Sequence, residues 1–207
     1  MKIGITCYPT YGGSGVVATE LGVEGITVSP GYSYHHAPKQ DVFLARNASK
    51  QLFRSIFSLS RRPSGKPWSF NHSSLFLDFL AGNQTYQCTP WSNPTYNLFG
   101  WQRPCYLLSD EGYAPTYKAL IEETEWDKYG VGKNPRCDNC MAHCGFEGTA
   151  VNDAFSNPIK AMLTSLRGPK VAGPMAPELP FLYGETPQFA SVTAIPISEI
   201  KRPSSRP

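Results

Sequence analysis

The stretch PRCDNCMAHCGFE, residues 135–147, places Cys137, Cys140 and Cys144 within eight positions. A Cys-x2-Cys pair lets two thiolates reach one metal centre from a tight turn. A third cysteine four residues on returns to the same side if a helical turn starts there. The stretch can be half of a zinc knuckle, part of a disulfide framework, or one wall of an iron–sulfur site. Structural zinc sites usually pair two knuckles, or a knuckle with two histidines, and here one knuckle carries a single extra cysteine. His143 is a further ligand candidate, although a histidine so placed more often only donates a hydrogen bond nearby. Three clustered thiolates with a distant fourth come closer to the four-cysteine pattern of a cubane cluster.

Composition bears on that choice. The 207 residues carry a formal charge of +3, with 17% charged residues, too mild to argue for nucleic acid. The one dense basic cluster, SLSRRPSGKPW at 58–68, reads as a solvated loop. Aromatics at 13% and 19 prolines point to a loop-rich fold rather than a helical bundle. No apolar run is long enough for a membrane span. The N-terminus lacks the apolar core of a signal peptide, so the cytoplasm is the expected compartment. Thiols stay reduced there, which weighs against disulfides and towards metal.

Outward from the cysteines, the pattern divides the chain. KIGITCYP (2–9) and GITVSP (25–30) read as short buried strands around a glycine turn and a helix too short for an ordinary crossover. Residues 39–58 read as one amphipathic helix with an apolar core face, with a break possible near Asn47. SSLFLDFLAG (73–82) reads as a short apolar helix ended by Gly82. Asp78 within it is expected to be hydrogen-bonded or exposed rather than catalytic. From 83 to 150 Cys, Trp, Pro, Gly and Tyr dominate, with one clear helix over 114–129. NPIKAMLTSLRG (157–168) is a last helix, and the Pro-rich remainder reads as an extended arm or disorder.

Upstream, Cys88 and Cys105 form a Cys-x11-Gly-x4-Cys unit with Gly100 as the glycine, a spacing that suggests a tight hairpin turning a thiolate inward. This resembles the opening of the auxiliary-cluster domains at the C-terminus of many radical S-adenosylmethionine enzymes. The later part is shortened, so one auxiliary cluster is implied rather than two, and five cysteines for four places leave one spare. Longer phrases carry the likeness further: GITVSPGY, KQLFRSIF, WSFNHSSLFLDFLAGNQTYQCTPWSNPT, NLFGWQRPCYLL and CDNCMAHCGFEGTAV. Over residues 20 to 180 the chain resembles the C-terminal half of the hopanoid-biosynthesis radical SAM family, the adenosylhopene transferases.

That resemblance implies an α/β fragment: the remnant of a partial (β/α) barrel followed by a loop-rich, cysteine-rich extension. It implies a four-iron auxiliary cluster on Cys88, Cys105, Cys137, Cys140 and Cys144, and, in the intact enzyme, S-adenosylmethionine and a hopene lipid substrate. A lipid substrate would allow peripheral contact with a membrane. The implied reaction adds the 5′-deoxyadenosyl radical to the alkene of a hopene. Gly25, Ser29 and Tyr32, on and after the last barrel strand, are the candidate cofactor-binding residues. Tyr34, His35 and His36 follow at the strand end where barrels place substrate groups, though adjacent histidines point different ways and make a poor two-His metal site. Trp91, Phe99 and Trp101 are candidates for shielding a cluster or for plain packing. The Cys-x3-Cys-x2-Cys loop of the radical cluster is missing, so the chain alone is expected to show no turnover.

The first 22 residues have another affinity. Gly13-x-Gly15-x-x-Ala18 matches a dinucleotide fingerprint, without the acidic residue expected at the end of the next strand. The phrase resembles the start of the family-4 glycosyltransferases of bacillithiol synthesis, whose glycine loop faces donor phosphates. The expected organisation is a foreign strand–turn–helix at 1–22, a barrel remnant at 23–60, a cysteine-rich cluster domain at 61–156, and a helix and tail at 157–207. The alternatives are a non-catalytic iron–sulfur or zinc module and a truncated glycosyltransferase.

Overall fold

The structure is a computed structural model that describes residues 6–7, 25–32, 43–60 and 68–181. It is mixed α/β. Strands β1 (Thr6–Cys7) and β2 (Thr27–Val28) pair in parallel, Thr6 beside Thr27 and Cys7 beside Val28. Ile26 bridges to Phe70. The glycine turn and short helix expected between β1 and β2 lie outside the described residues.

Helix α1 (Arg46–Leu59) is followed by α2 (Ser74–Leu80), the centre of the molecule. Every residue of α2 after Ser74 is buried, as an apolar surface on all sides of a helix requires. The Ser73 hydroxyl accepts the Phe76 N–H at 3.3 Å and starts the helix, and Gly82, at φ +77°, ends the turn behind it. Asp78 is the polar exception. Its carboxylate is fully buried but accepts from Asn83 Nδ2 (2.9 Å), Gln84 Nε2 (2.7 Å) and the Lys170 N–H (3.1 Å), so it ties the helix to the chain beyond it.

Strands β3 (Tyr96–Asn97), β4 (Gly100–Gln102) and β5 (Tyr113–Ala114) form an antiparallel sheet in that order. The expected hairpin between Cys88 and Cys105 is therefore present. Gly100, at φ +123°, is where β4 meets β5: a Cβ there would stand 2.7 Å from the Ala114 carbonyl.

Helix α3 (Tyr117–Glu123) is capped by Thr116 and is shorter than the helix expected over 114–129. Thr124 is extended, and the Trp126 indole donates to the Ile121 carbonyl (2.9 Å), closing the end. Helix α4 (His143–Ser156) was not expected: it begins inside the cysteine stretch, and Gly145, Gly148, Thr149 and Val151 mask its helical pattern. Helix α5 (Pro158–Arg167) follows, with proline in its first turn.

One core joins these parts. Val28, Phe53 and Phe57 pack with the α2 residues, Tyr86, Met141, Phe146 and Ala150. Phe79 and Phe146 stack at 4.7 Å. Two expectations need correction. Helix α1 starts at Arg46, and Phe43–Ala45 precede it without helical structure. Residues 169–181 are not a free arm: the Ala176 N–H reaches the Gly82 carbonyl (2.8 Å), Thr85 donates to the Pro177 carbonyl (2.6 Å), and Glu178 pairs with Arg46 and Lys50. No helix among the described residues is long and apolar enough to cross a membrane.

Candidate functional site

Cys88, Cys105, Cys137, Cys140 and Cys144 all line one cavity of about 30 Å³, within roughly 460 Å³ of atom-free space that opens to solvent. Different elements deliver them. Cys88 precedes the short 3-10 turn Pro90–Ser92, and Cys105 follows the β3–β4 hairpin and opens the 3-10 segment Tyr106–Glu111. Cys137 closes the 3-10 turn Pro135–Cys137, whose entry is capped by the Asn134 side chain (3.0 Å to the Arg136 N–H). The Cys140 N–H bonds the Cys137 carbonyl (3.0 Å), the tight turn expected of the knuckle. Cys144 sits on the first turn of α4, so the helical return that brings it to the knuckle's side is real. The cysteines are free thiols. The sulfur of Cys7 lies outside the described residues.

Burial pushes every one of these thiols up: Cys137 to about 11, Cys144 to about 12, Cys105 in the same direction, and Cys88 and Cys140 well above the ordinary value. Mutual repulsion of the thiolates adds to burial. Cys88 is raised by Cys144, Cys105 and Cys137, and Cys140 by Cys88, Cys144 and Cys137. Against this stand hydrogen bonds that favour the thiolate: Leu107 and Leu108 N–H groups at Cys105, Gly130 at Cys137, Ala142 at Cys140, and the Tyr106 hydroxyl at Cys144. A cavity of repelling thiols with donors already aimed at their sulfurs is suited to a cation that deprotonates them. Gly145 leaves room for this: a Cβ there would stand 2.2 Å from the Cys88 sulfur.

Among the described residues no three His, Cys, Asp or Glu side chains form a group able to hold a metal ion as they stand. The five cysteines line one cavity. A single zinc needs ligands about 2.3 Å away, whereas a cluster spreads its thiolates over several irons.

Tyr32 also lines the cavity, and its hydroxyl donates to the Arg136 carbonyl (2.9 Å). Burial first, then Cys140, Cys137 and Cys105, raise its pKa. Ser29 is one step away: His143 turns to it, Nδ1 lying 3.2 Å from the Ser29 hydroxyl. Burial and the neighbouring His72 push His143 down. Gly25 does not line the cavity; it lies against Asn71, whose Oδ1 a Cβ would approach to 2.0 Å. Tyr34, His35 and His36 lie outside the described residues. Trp91, Phe99 and Trp101 do not line the cavity either. Trp91 pairs with Trp126, Trp101 meets Tyr96 and Tyr117 edge to face, and Phe99 is exposed. Pro90, Pro104, Leu107, Leu108 and Phe146 form the apolar lining instead.

Sequence reasoning missed the cations behind this wall. Arg46 and Lys50 are each 2% exposed, and both bond Glu178. The signal was present: 46, 50, 53 and 57 share one helical face with Phe53 and Phe57.

Fold and site together define a mixed α/β protein with a five-cysteine cavity. The sequence model of a domain of unknown function (DUF3463) matches residues 26–164, about two thirds of the chain, and the chain belongs to that family. The match takes in all five cavity cysteines together with Ser29 and Tyr32. No curated protein and no solved structure matches the chain.

Proposed function

We propose that this chain binds one four-iron cluster through four of its five cavity cysteines. We further propose that it is the cluster-bearing C-terminal part of a radical SAM enzyme of the adenosylhopene transferase type. The observation that carries the first statement is the meeting of Cys88, Cys105, Cys137, Cys140 and Cys144, from four separate segments, on one cavity. Free thiols, half-buried or buried and flanked by N–H donors, are the donor set such a cluster uses. When bound, the cluster supplies one-electron transfer, or simply a rigid cross-link between the hairpin, the knuckle and α4. The chain's own residues hold the thiolates, aim the backbone donors and exclude water with proline, leucine and phenylalanine side chains.

The second statement rests on the resemblance of the quoted phrases. In that reading β2, with Ser29 and Tyr32 behind it, is the last strand of a barrel whose other strands and radical-cluster loop this chain lacks, and β1 belongs to a glycosyltransferase-like segment joined to it. The chain alone therefore performs no radical chemistry. Anaerobic reconstitution with iron and sulfide, followed by Mössbauer spectroscopy, tests the first statement: a four-iron signature is expected, and its absence refutes it. Incubating the reconstituted protein with S-adenosylmethionine and dithionite tests the inactivity. No 5′-deoxyadenosine is expected, and its formation would overturn that claim.

A further inference from the structure

We infer that Arg46 is the counter-charge of the cysteine cavity, a positioning residue that fixes the reduction potential of a cluster held there. This rests on the iron–sulfur reading. Arg46 lies at the start of α1, with 2% of its surface exposed. Its Nη1 donates to the Cys140 carbonyl at 2.6 Å, and its Nε donates to Glu178 Oε2 at 3.1 Å. The guanidinium carbon lies 5.3 Å from the Phe79 ring centre and 5.2 Å from that of Phe146, and Phe146 lines the cavity. The cation is thus locked to the knuckle backbone and lies beside the stacked pair of Phe79 and Phe146 rings.

Among the described residues the charge count around Arg46 does not close. Lys50, equally buried, bonds the same Glu178, so two buried cations share one carboxylate. An arginine does not shed its proton in a protein, and an uncompensated buried charge is strongly unfavourable. The cation reaches the cavity wall through the Cys140 carbonyl, and after Glu178 the Cys140 and Cys88 sulfurs act electrostatically on it. A cubane held by four thiolates is an anion, and it becomes more negative by one charge when an added low-potential reductant gives it an electron. A fixed cation behind the knuckle favours that reduced form, because net charge and burial set cluster potentials. The same cation also holds the Cys140 carbonyl, and with it the geometry of the knuckle.

Redox titration of the reconstituted full chain, followed by electron paramagnetic resonance, tests the inference with variants of opposite sign. Arg46→Met removes the cation and is expected to move the midpoint to a more negative potential. Glu178→Gln removes the competing anion and is expected to move it to a more positive one. Arg46→Lys keeps the charge and is expected to restore most of the wild-type value. If Arg46→Met does not fold, Glu178→Gln carries the test alone: an upward shift supports the inference, and no shift or a downward one overturns it. Variants that bind a full complement of iron at an unchanged midpoint overturn the role of Arg46 and leave the cluster reading intact. A wild-type protein that binds no iron overturns both, so the two failures are distinguishable.

Discussion

Two regions meet at Phe146, and they are held together by different means. On one side, α2 supplies Leu75, Phe76, Phe79 and Leu80, all fully buried, and Phe53, Phe57 and Tyr86 close around them. This half is stabilised by removing apolar surface from water, a term the chain carries in itself. On the other side, the hairpin, the knuckle and the first turn of α4 surround a cavity lined by sulfurs, with only Leu107, Ala142 and Cys144 as a small buried cluster of their own. The comparison separates what the polypeptide stabilises alone from what it leaves to a ligand.

The largest effect is expected where the apolar half is broken. Phe79→Ala should cost about 3–5 kcal/mol, because its ring packs on Phe76, Tyr86 and Phe146 with no exposed surface. Denaturant unfolding with and without iron should show the loss in both states. Cys140→Ala should do the reverse. It changes the metal-free protein by on the order of 1 kcal/mol, yet abolishes iron binding and the stabilisation that comes with it, as iron analysis and hydrogen exchange over 83–150 would report. If Cys140→Ala unfolds the metal-free chain as severely as Phe79→Ala, the division between the halves is wrong.

A smaller effect sharpens the division. Gly145→Ala should leave α4 stable, since alanine favours a helix over glycine by about 1 kcal/mol. It should nevertheless lower iron content, because the new methyl group needs the space of the Cys88 sulfur, 2.2 Å away. Retained iron content in this variant would show that Cys88 is the spare thiol or has another way into the cavity.

The smallest expected effect is acid sensitivity in the metal-free protein. Burial alone would raise Glu147, but hydrogen bonds from His72 and the Ser73 N–H outweigh it and hold the carboxyl below its ordinary 4.5. Burial likewise opposes, and bonds from Lys160, Tyr86 and Asn157 outweigh it, to hold Asp153 below 3.8. Folded values that are depressed contribute stability above the unfolded values, lost as pH falls through the folded ones. These two carboxylates should therefore make the unfolding midpoint decline below about pH 4, and Glu147→Gln should flatten part of that decline.

The two halves were also unequally legible in the sequence. α2 was readable because a run of large apolar residues begins at a serine cap and stops at a glycine. The hairpin was readable from Gly100, and the knuckle from Cys-x2-Cys. Helix α4 was hidden because Gly145 and Gly148 lie where they let other groups approach: the Cys88 sulfur at the first and the Ser92 hydroxyl at the second. Propensity there is set aside for close contact. The cationic wall was hidden for another reason. Arg46 and Lys50 share the face of Phe53 and Phe57, but their carboxylate partner, Glu178, is more than 120 positions away. Long-range ion pairing leaves no local pattern. Trp91, Phe99 and Trp101 drew attention by residue type, and only the three-dimensional arrangement assigns the lining to other side chains, Tyr32, Tyr129 and Phe146 among them.

The central claim is that five cysteines from four segments build one cluster site, and the most direct test is the ratio of iron, sulfide and zinc in anaerobically purified and reconstituted wild-type protein. A brown protein with about four irons and four sulfides per chain is the predicted result. A colourless protein that retains one zinc and takes up no sulfide would contradict it.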